Sequence, residues 1–200
     1  MQTVKLIDIS KTYGDNQVLK NISMTMKQGI TCIMGASGRG KTTLAYIIAG
    51  LVRPDSGEVH LTKGQKKISL MFQEDRLLEW ENAIQNVLFV TKTPILGASY
   101  KKHENFEQAT ALLTQAGLAD SMYKKTSELS GGMKRRVCLC RALIADYDLL
   151  ILDEPFKGLD SGIKPSIMEM VKVHTKNKTV ICITHDPLEA EFLGGAFVSL

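Results

Sequence analysis

A glycine-rich stretch, GASGRGKTT at residues 35–43, has the residue types and spacing of a phosphate-binding loop. It fits the pattern G-x-x-x-x-G-K-[ST], follows the apolar run Ile30–Met34 and precedes a helical pattern over Thr42–Leu51. Glycines let backbone N–H groups turn toward phosphate oxygens, and the N-terminus of the next helix adds partial positive charge. The pattern predicts a nucleotide site in which Lys41 reaches the β- and γ-phosphates and Thr42 ligates Mg²⁺. The predicted nucleotide contacts in the loop are Gly35, Ala36, Ser37, Gly38, Arg39, Gly40, Lys41, Thr42 and Thr43.

Two acids end an apolar strand pattern later in the chain. Leu149–Leu152 is followed by Asp153 and Glu154, and two carboxylates at the end of a buried strand carry a desolvation cost unless something uses them. In a chain with a phosphate loop, we predict that Asp153 associates with Mg²⁺ and that Glu154 polarises an attacking water as general base. The alternative is that these acids cap the next helix or turn.

Two further strand patterns end in side chains that could meet a γ-phosphate. His185 follows the apolar run Thr179–Thr184, at the kind of strand end where open α/β sheets place ligands, and is a candidate γ-phosphate sensor. Gln73 follows the strand pattern Lys67–Phe72, and its uncharged amide could ligate Mg²⁺ and orient water. A purely structural role is the alternative for both. Three other histidines lack such a context and are predicted to be surface or packing residues: His60, His103 and His174.

A second anion-binding helix start is predicted in SELSGGMKRR, residues 127–136. Ser130 is a good N-cap, and Gly131 and Gly132 leave the first backbone N–H groups of the helix bare. This site could serve the same triphosphate only by approaching the γ-phosphate from the opposite side. The basic residues after it, 134–136, either keep the local field positive or line the surface. A simple capped helix is the alternative.

Alternating strand and helix patterns predict an α/β fold. Residues 3–10 and 18–26 have strand patterns on either side of a turn, whereas 74–146 is dominated by helical spacing. We predict a P-loop NTPase core with a mixed sheet and N-terminal antiparallel strands. We expect the whole of 1–200 to form one domain, with its core at about 1–73 and 147–200 and the helical insertion at about 74–146.

Composition limits which binding partners and which cellular compartment are expected. The net charge of +4 over 200 residues suits an anionic ligand but is far from a nucleic-acid signature. The four cysteines form no CxxC pair, which is typical of a reduced, cytosolic protein. The N-terminus lacks a secretory pattern, and the longest apolar stretches, such as Leu44–Val52, fall well short of the ~20 residues that span a bilayer. Any membrane role is therefore expected to come through a partner.

These elements, in this order and over nearly the whole chain, resemble the ATP-binding cassette family. The matching motifs are Gly35–Thr43 (Walker A), Gln73 (Q-loop), Leu129–Met133 (the signature LSGGQ), Leu149–Glu154 (Walker B), Gly158-Leu159-Asp160 (D-loop), His185 (switch histidine) and Tyr13 (the aromatic that stacks on adenine).

The resemblance implies a head-to-tail homodimer that forms on ATP. The signature of one chain, Ser130–Met133, would close over nucleotide held by the Walker A loop of the other. ATP and Mg²⁺ are the implied ligands, and in-line attack of water on the γ-phosphate is the implied reaction. The implied partner is a membrane permease, which would place the chain on the cytoplasmic face of the membrane as a peripheral subunit.

A finer resemblance lies in FQEDRLLEWENAIQNV at 72–87 and THDPLEAEFLG at 184–194. Both are similar to cassettes of the nitrate, sulfonate and taurine importer group, which implies uptake of a small solute with a solute-binding protein as indirect partner. Glu79 stands where that group usually has proline, and Met133 replaces the last residue of the signature. We expect a modest effect of Met133. The chain stops at 200, short of the usual C-terminal elements, which suggests a minimal cassette without a regulatory domain.

Other functions remain open at this point. The same cassette could serve an exporter or a lipoprotein- or division-linked complex, although the stretch at 72–87 favours uptake. A soluble cassette of DNA repair or translation would typically carry a coiled-coil insertion or two cassettes in one chain. A generic P-loop kinase would have no need of Gln73 or of the Ser130-Gly131-Gly132 helix start.

Overall fold

The computed structural model of the protein describes residues 3–36, 38–62, 67–91 and 98–200. Ser37 of the phosphate loop lies outside the described residues. So does most of 93–99, where proline, glycine and serine in the sequence predict a loop between two helical stretches. The chain forms two compact units. The first comprises 1–70, 147–154 and 175–200, and the second comprises 71–146 and 155–174. The second unit contains the helical insertion predicted at 74–146, and it also includes 155–174, which the sequence predicts to be part of the core.

Strands and helices alternate along much of the described chain. The strands are β1 (Thr3–Tyr13), β2 (Asn16–Lys27), β3 (Gly29–Met34), β4 (Ser56–Leu61), β5 (Ile68–Met71), β6 (Leu149–Asp153), β7 (Thr179–Ile183) and β8 (Ala196–Ser199). The helices are α1 (Lys41–Ile48), α2 (Ala83–Leu88), α3 (Phe106–Gln115), α4 (Gly131–Ile144), α5 (Lys164–His174) and α6 (Pro187–Leu193). Short 3₁₀ turns lie at Ala98–Lys102, Ala119–Ser121 and Thr126–Glu128.

Two sheets organise the strands. One has the order β2-β1-β4, with both pairs antiparallel, and the other has the order β5-β6-β7-β3-β8. In the second sheet β7 runs parallel to both β3 and β6, and β3 runs parallel to β8. Every residue of β6 and β7 is buried, which explains why their sequences are continuous apolar runs. The predicted α/β class with N-terminal antiparallel strands is confirmed.

An apolar cluster lies in the first unit. Aliphatic side chains of β1, β3, α1, β6 and β7 meet in it, among them Leu6, Ile33, Leu44, Ile151 and Ile181, all no more than 1% exposed. Burial of that size stabilises by roughly 1.5–3 kcal/mol per aliphatic side chain. The core thereby holds the start of α1 and the ends of β6 and β7 in fixed positions.

The second unit has its own core among α2, α3 and α4. Hydrogen bonds of two asparagines fix the start of α2 in it. Asn82 caps α2 in a capping box with Gln85, since its side chain accepts from the Gln85 N–H at 2.9 Å. Asn86, fully buried, accepts from the Leu78 N–H at 2.8 Å and donates to the carbonyl oxygens of Leu78 and Asn82 at 3.0 Å each. These bonds hold the connection that leads from β5 into α2.

Two elements near the C-terminus, α6 and β8, are additional to those predicted from the sequence. Helix α6 begins at Pro187 after the N-cap Asp186, whose side chain accepts from the Leu188 N–H at 2.9 Å. An N-cap residue followed by proline is a sequence signal for the start of a helix, so the start of α6 was predictable. Strand β8 is only four residues long. None of the described helices is long and apolar enough to cross a membrane.

Candidate active site

The phosphate loop joins β3 to α1 and ends at a glycine that no other residue could easily replace. Gly40 has φ +82° and caps α1, and a Cβ at this position would lie 2.8 Å from side-chain atoms of Val18 and Leu19. The loop therefore packs directly on β2. The described loop residues Gly35, Ala36 and Gly38 to Gly40 lie between β3 and α1, and Lys41, Thr42 and Thr43 are the first residues of α1. A loop that leads into a helix N-terminus favours anions.

Lys41 and Thr42 stand in the first turn of α1. Lys41 is 7% exposed, and its Nζ atom donates to the carbonyl oxygens of Gly35 and Ala36 at 2.7 Å each. The Thr42 hydroxyl donates to Asp153 Oδ2 at 2.8 Å. Asp153 is fully buried at the end of β6, so the predicted Mg²⁺-associated pair is in direct contact.

Glu154 and His185, predicted from two separate strand ends, lie side by side. Glu154 Oε1 is 3.5 Å from His185 Nδ1; the Glu154 side chain is 15% exposed and that of His185 64%. Glu154 has φ +48°, a conformation that costs a residue with a side chain about 1–3 kcal/mol. Its N–H donates to the carbonyl oxygen of Ile183 at 2.9 Å, so the adjacent strand β7 holds this turn.

The loop that carries His185 is held by buried polar bonds. The hydroxyl of Thr184, 1% exposed, donates to a carboxylate oxygen of Glu189 and accepts from the Asp186 N–H at 3.1 Å. Glu189 lies on α6 and is 6% exposed. Helix α6 therefore positions the backbone on both sides of His185.

Tyr13, the candidate adenine-stacking residue, ends β1 and is 49% exposed. The Lys11 ammonium lies 5.4 Å from the centre of its ring. A cavity of about 400 Å³ in the same unit is lined by the β2 residues Val18 and Leu19 and by Gly38 and Arg39 of the loop. This open surface beside the phosphate loop has both polar and apolar lining residues, which suits a nucleoside.

The second helix start forms as predicted. Ser130 is the N-cap of α4, and its hydroxyl accepts from the Met133 N–H at 3.3 Å. Gly132 approaches the D-loop so closely that a Cβ would lie 3.1 Å from the carbonyl oxygen of Gly158. The two glycines therefore keep backbone N–H groups uncovered and allow two motifs of the second unit to touch. Asp160 is exposed, and its carbonyl oxygen accepts from the Ile163 N–H at 3.1 Å.

One basic residue of this stretch is buried, contrary to the expectation that 134–136 only set the field or line the surface. Arg135 is 3% exposed, and its Nη1 atom donates to the carbonyl oxygens of Phe72 at 2.9 Å and Gln73 at 3.0 Å, and to Asp75 Oδ1 at 3.0 Å. Gln73 thus lies in a backbone segment held by α4. Position 135 shares a helix face with buried Leu139 and Ala142, and that spacing is the signal that could have identified it.

The structure confirms the predictions of a packing or surface role for two of the other histidines. His103 is a packing residue, with its Nε2 atom 2.9 Å from the Thr91 hydroxyl, and His60 is exposed beside Glu58.

Every cysteine is buried and free: Cys32, Cys138, Cys140 and Cys182. Burial raises the pKa of Cys138 to about 12 and the pKa of Cys140 to about 12.

Comparison with known proteins gives consistent matches over nearly the whole chain. A protein-family model described as "ABC transporter" matches residues 19–157. The aliphatic sulfonates import ATP-binding protein SsuB 1 of Rhodococcus jostii is 39% identical over 191 residues, covering 92% of this chain and 74% of that protein. The bicarbonate transport ATP-binding protein CmpD of Synechocystis sp. is 36% identical over 207 residues, covering 96% of this chain and 72% of that protein.

The fold is also shared with solved structures. A dimeric structure of the ATP-binding cassette MJ0796, in a post-hydrolysis state bound to ADP and Pi, matches this chain with a TM-score of 0.83 at 31% identity. The match covers 98% of this chain and 94% of that chain.

Proposed function

The chain belongs to the ABC transporter family, and we propose that it is the subunit that binds and hydrolyses ATP to energise uptake of a small solute through a separate membrane permease. The observation that carries the proposal is the contact of Thr42 in the phosphate loop with Asp153, next to the Glu154–His185 pair. One compact unit thereby offers groups for binding a triphosphate and for activating water.

Nucleotide binding relies on the phosphate loop. The backbone N–H groups around Gly40 and the Lys41 ammonium would neutralise the β- and γ-phosphates, and the hydroxyl of Thr43 adds a further donor. Tyr13 would stack on the adenine, for which its exposed ring is suited. Lys41 already bonds to oxygen atoms of the loop itself, so phosphate oxygens would replace the carbonyls of Gly35 and Ala36 as its acceptors.

Mg²⁺ suits the oxygen donors next to the loop. Thr42 offers a neutral hydroxyl oxygen and Asp153 an anionic carboxylate oxygen, and the two atoms are only 2.8 Å apart. Mg²⁺ prefers such hard oxygen ligands. Thr42, Asp153 and the amide of Gln73 would hold the ion together with phosphate oxygens. When bound, Mg²⁺ would neutralise charge that develops on the phosphates.

Hydrolysis follows from the acid at the end of β6. Glu154 would accept a proton from a water whose oxygen attacks the γ-phosphorus in line, and the bond to the bridging oxygen would break so that ADP leaves with the electron pair. His185 Nδ1 lies 3.5 Å from Glu154 Oε1, so the imidazole would donate a hydrogen bond to the γ-phosphate on the side where Glu154 lies.

The second unit would act on nucleotide held by another copy of the chain. Ser130, Gly131 and Gly132 would cover the partner's γ-phosphate with the helix start of α4, and Met133 would lie near its ribose. Asp160 of the D-loop would take part in the same head-to-tail contact. The dimeric structure of the MJ0796 cassette supports the assembly of two copies into a dimer.

The transport partners follow from the family. We propose a membrane permease as direct partner and a solute-binding protein as indirect partner, with the chain on the cytoplasmic face of the membrane. Nucleic acid is not among the proposed partners. Relatives named for aliphatic sulfonates and bicarbonate support a small oxyanion or organosulfonate as the solute. Adjacent genes for a permease and a solute-binding protein are expected, and their absence would contradict uptake.

The proposal is tested by phosphate release from ATP. Glu154→Gln is expected to lower turnover by about 10²–10⁴-fold while ATP still binds, because the general base is lost and the phosphate loop is intact. Glu58→Gln, which neutralises an exposed acid of β4, is the matched control and should keep the wild-type rate. Wild-type turnover by Glu154→Gln would show that Glu154 is not the base.

A further inference from the structure

Helix α4 binds the segment that contains Gln73 through a buried guanidinium. The Arg135 side chain is 4% exposed and that of its partner Asp75 26%. One Arg135 nitrogen donates to this carboxylate and also to the backbone carbonyls of Phe72 and Gln73. Hydrogen bonds from a charged donor are roughly twice as strong as neutral ones, and losing one member of a buried pair leaves the other charge uncompensated. The contact therefore fixes the backbone of Gln73 itself.

A second arginine extends this contact six residues further along α4. The Nη1 atom of Arg141 donates to the carbonyl oxygen of Arg76 at 2.6 Å, and the Arg76 guanidinium lies 4.1 Å from the centre of the Phe72 ring. Within residues 72–76 itself, the Arg76 N–H bonds to the Glu74 carbonyl at 2.9 Å. Much of the segment's position thus derives from side chains of α4.

The same helix begins at the Ser130 cap. Helix α4 is continuous from Gly131 to Ile144, so Arg135 stands about one turn from Gly131, and the distance between them cannot change without breaking the helix. Gln73 and Gly131 also line one cavity, of about 250 Å³, within the second unit. The glutamine and the glycine pair are therefore neighbours held by one rigid element.

We propose that Arg135, paired with Asp75, is a positioning residue for ATP hydrolysis that locks Gln73 to the Ser130–Gly132 helix start. Gln73 serves the nucleotide of its own chain, whereas the helix start serves the nucleotide of the partner, so the pair makes the two contacts move as one body. Neither Arg135 nor Asp75 needs to touch nucleotide. This inference rests on the proposed function and adds a residue pair that couples its two half-sites.

Steady-state ATPase kinetics of pair variants test the proposal. Arg135→Gln and Asp75→Asn are each expected to lower kcat by at least about tenfold while KM for ATP changes less than about twofold, because the phosphate loop is untouched. The double variant should be no slower than the slower single variant, since the pair is already broken in each. Arg135→Lys should recover only part of the loss, because an ammonium keeps the charge but not the forked donor geometry.

Three controls separate positioning from general damage. Lys124→Gln removes an exposed charge of the same unit and should keep the wild-type kcat. Thermal unfolding checks that each variant folds, and Asp75→Asn, which keeps the shape of the side chain, carries the test if Arg135→Gln does not fold. ATP affinity, measured separately, should stay at the wild-type value.

The inference is overturned if both single variants keep kcat within about twofold of wild type, or if their effects on kcat multiply in the double variant. A rise in KM at constant kcat would also overturn it. If instead the wild-type chain releases no phosphate, or Glu154→Gln turns over normally, the proposed function fails, and the two failures are thereby distinguished.

Discussion

At the scale of single residues, the candidate site depends on side chains that are far apart in the sequence and bonded to each other in the structure. Thr42 and Asp153 were predicted as partners from motifs 111 positions apart, and their 2.8 Å hydrogen bond joins them. Arg135 was predicted to set a field, yet it is an internal ligand of backbone carbonyls. The helical spacing with Leu139 and Ala142 indicates that position 135 faces the core, but it does not identify the partner, because Asp75 lies 60 positions away.

The cysteines provide a prediction at this scale. Because burial raises the pKa of Cys138 and Cys140 to about 12, only about one thiol in ten thousand is the reactive thiolate at pH 8. Iodoacetamide at pH 8 is therefore expected to leave both unmodified in the folded chain and to modify both after unfolding in urea, as read by peptide mass spectrometry. Comparable labelling rates with and without urea would show that these thiols are not held inside.

At the scale of elements, the buried strands were predictable and the backbone details around the site were not. Strands β6 and β7 follow from continuous apolar runs, because only a parallel sheet covered on both faces accommodates them. The positive φ of Glu154 has no local sequence signal, since glycine would be the usual residue there. This conformation depends on β7, because the carbonyl oxygen of Ile183 accepts a hydrogen bond from the Glu154 N–H.

Helix α6 carries a prediction about the stability of the His185 loop. Thr184→Val removes the hydroxyl that bonds both to Glu189 and to the Asp186 N–H while keeping a similar volume. We expect a loss of about 1–3 kcal/mol in the free energy of unfolding, because buried polar groups lose their partner. Urea unfolding measures this loss. An unchanged free energy of unfolding for Thr184→Val would contradict the role of this hydroxyl.

At the scale of the whole molecule, the two proposed half-sites belong to separate compact units. The phosphate loop, Asp153, Glu154 and His185 belong to the first, and the Ser130 helix start belongs to the second. The α/β class and the motif order could be predicted because each motif carries its own local signal. The inclusion of 155–174 in the second unit could not, because it depends on how chain segments cluster in space.

Mixing two inactive variants tests the central claim, that the active site is completed in trans. Lys41→Ala is expected to lose hydrolysis at the phosphate loop, and Ser130→Phe to block the helix start that covers the partner's nucleotide. In a head-to-tail mixed dimer, one site carries both defects and the other carries neither, so random pairing should restore about a quarter of the wild-type phosphate release. Restored hydrolysis in the mixture, with neither variant active alone, is the predicted result. A mixture as inactive as its components, or wild-type activity of Ser130→Phe alone, would contradict the account.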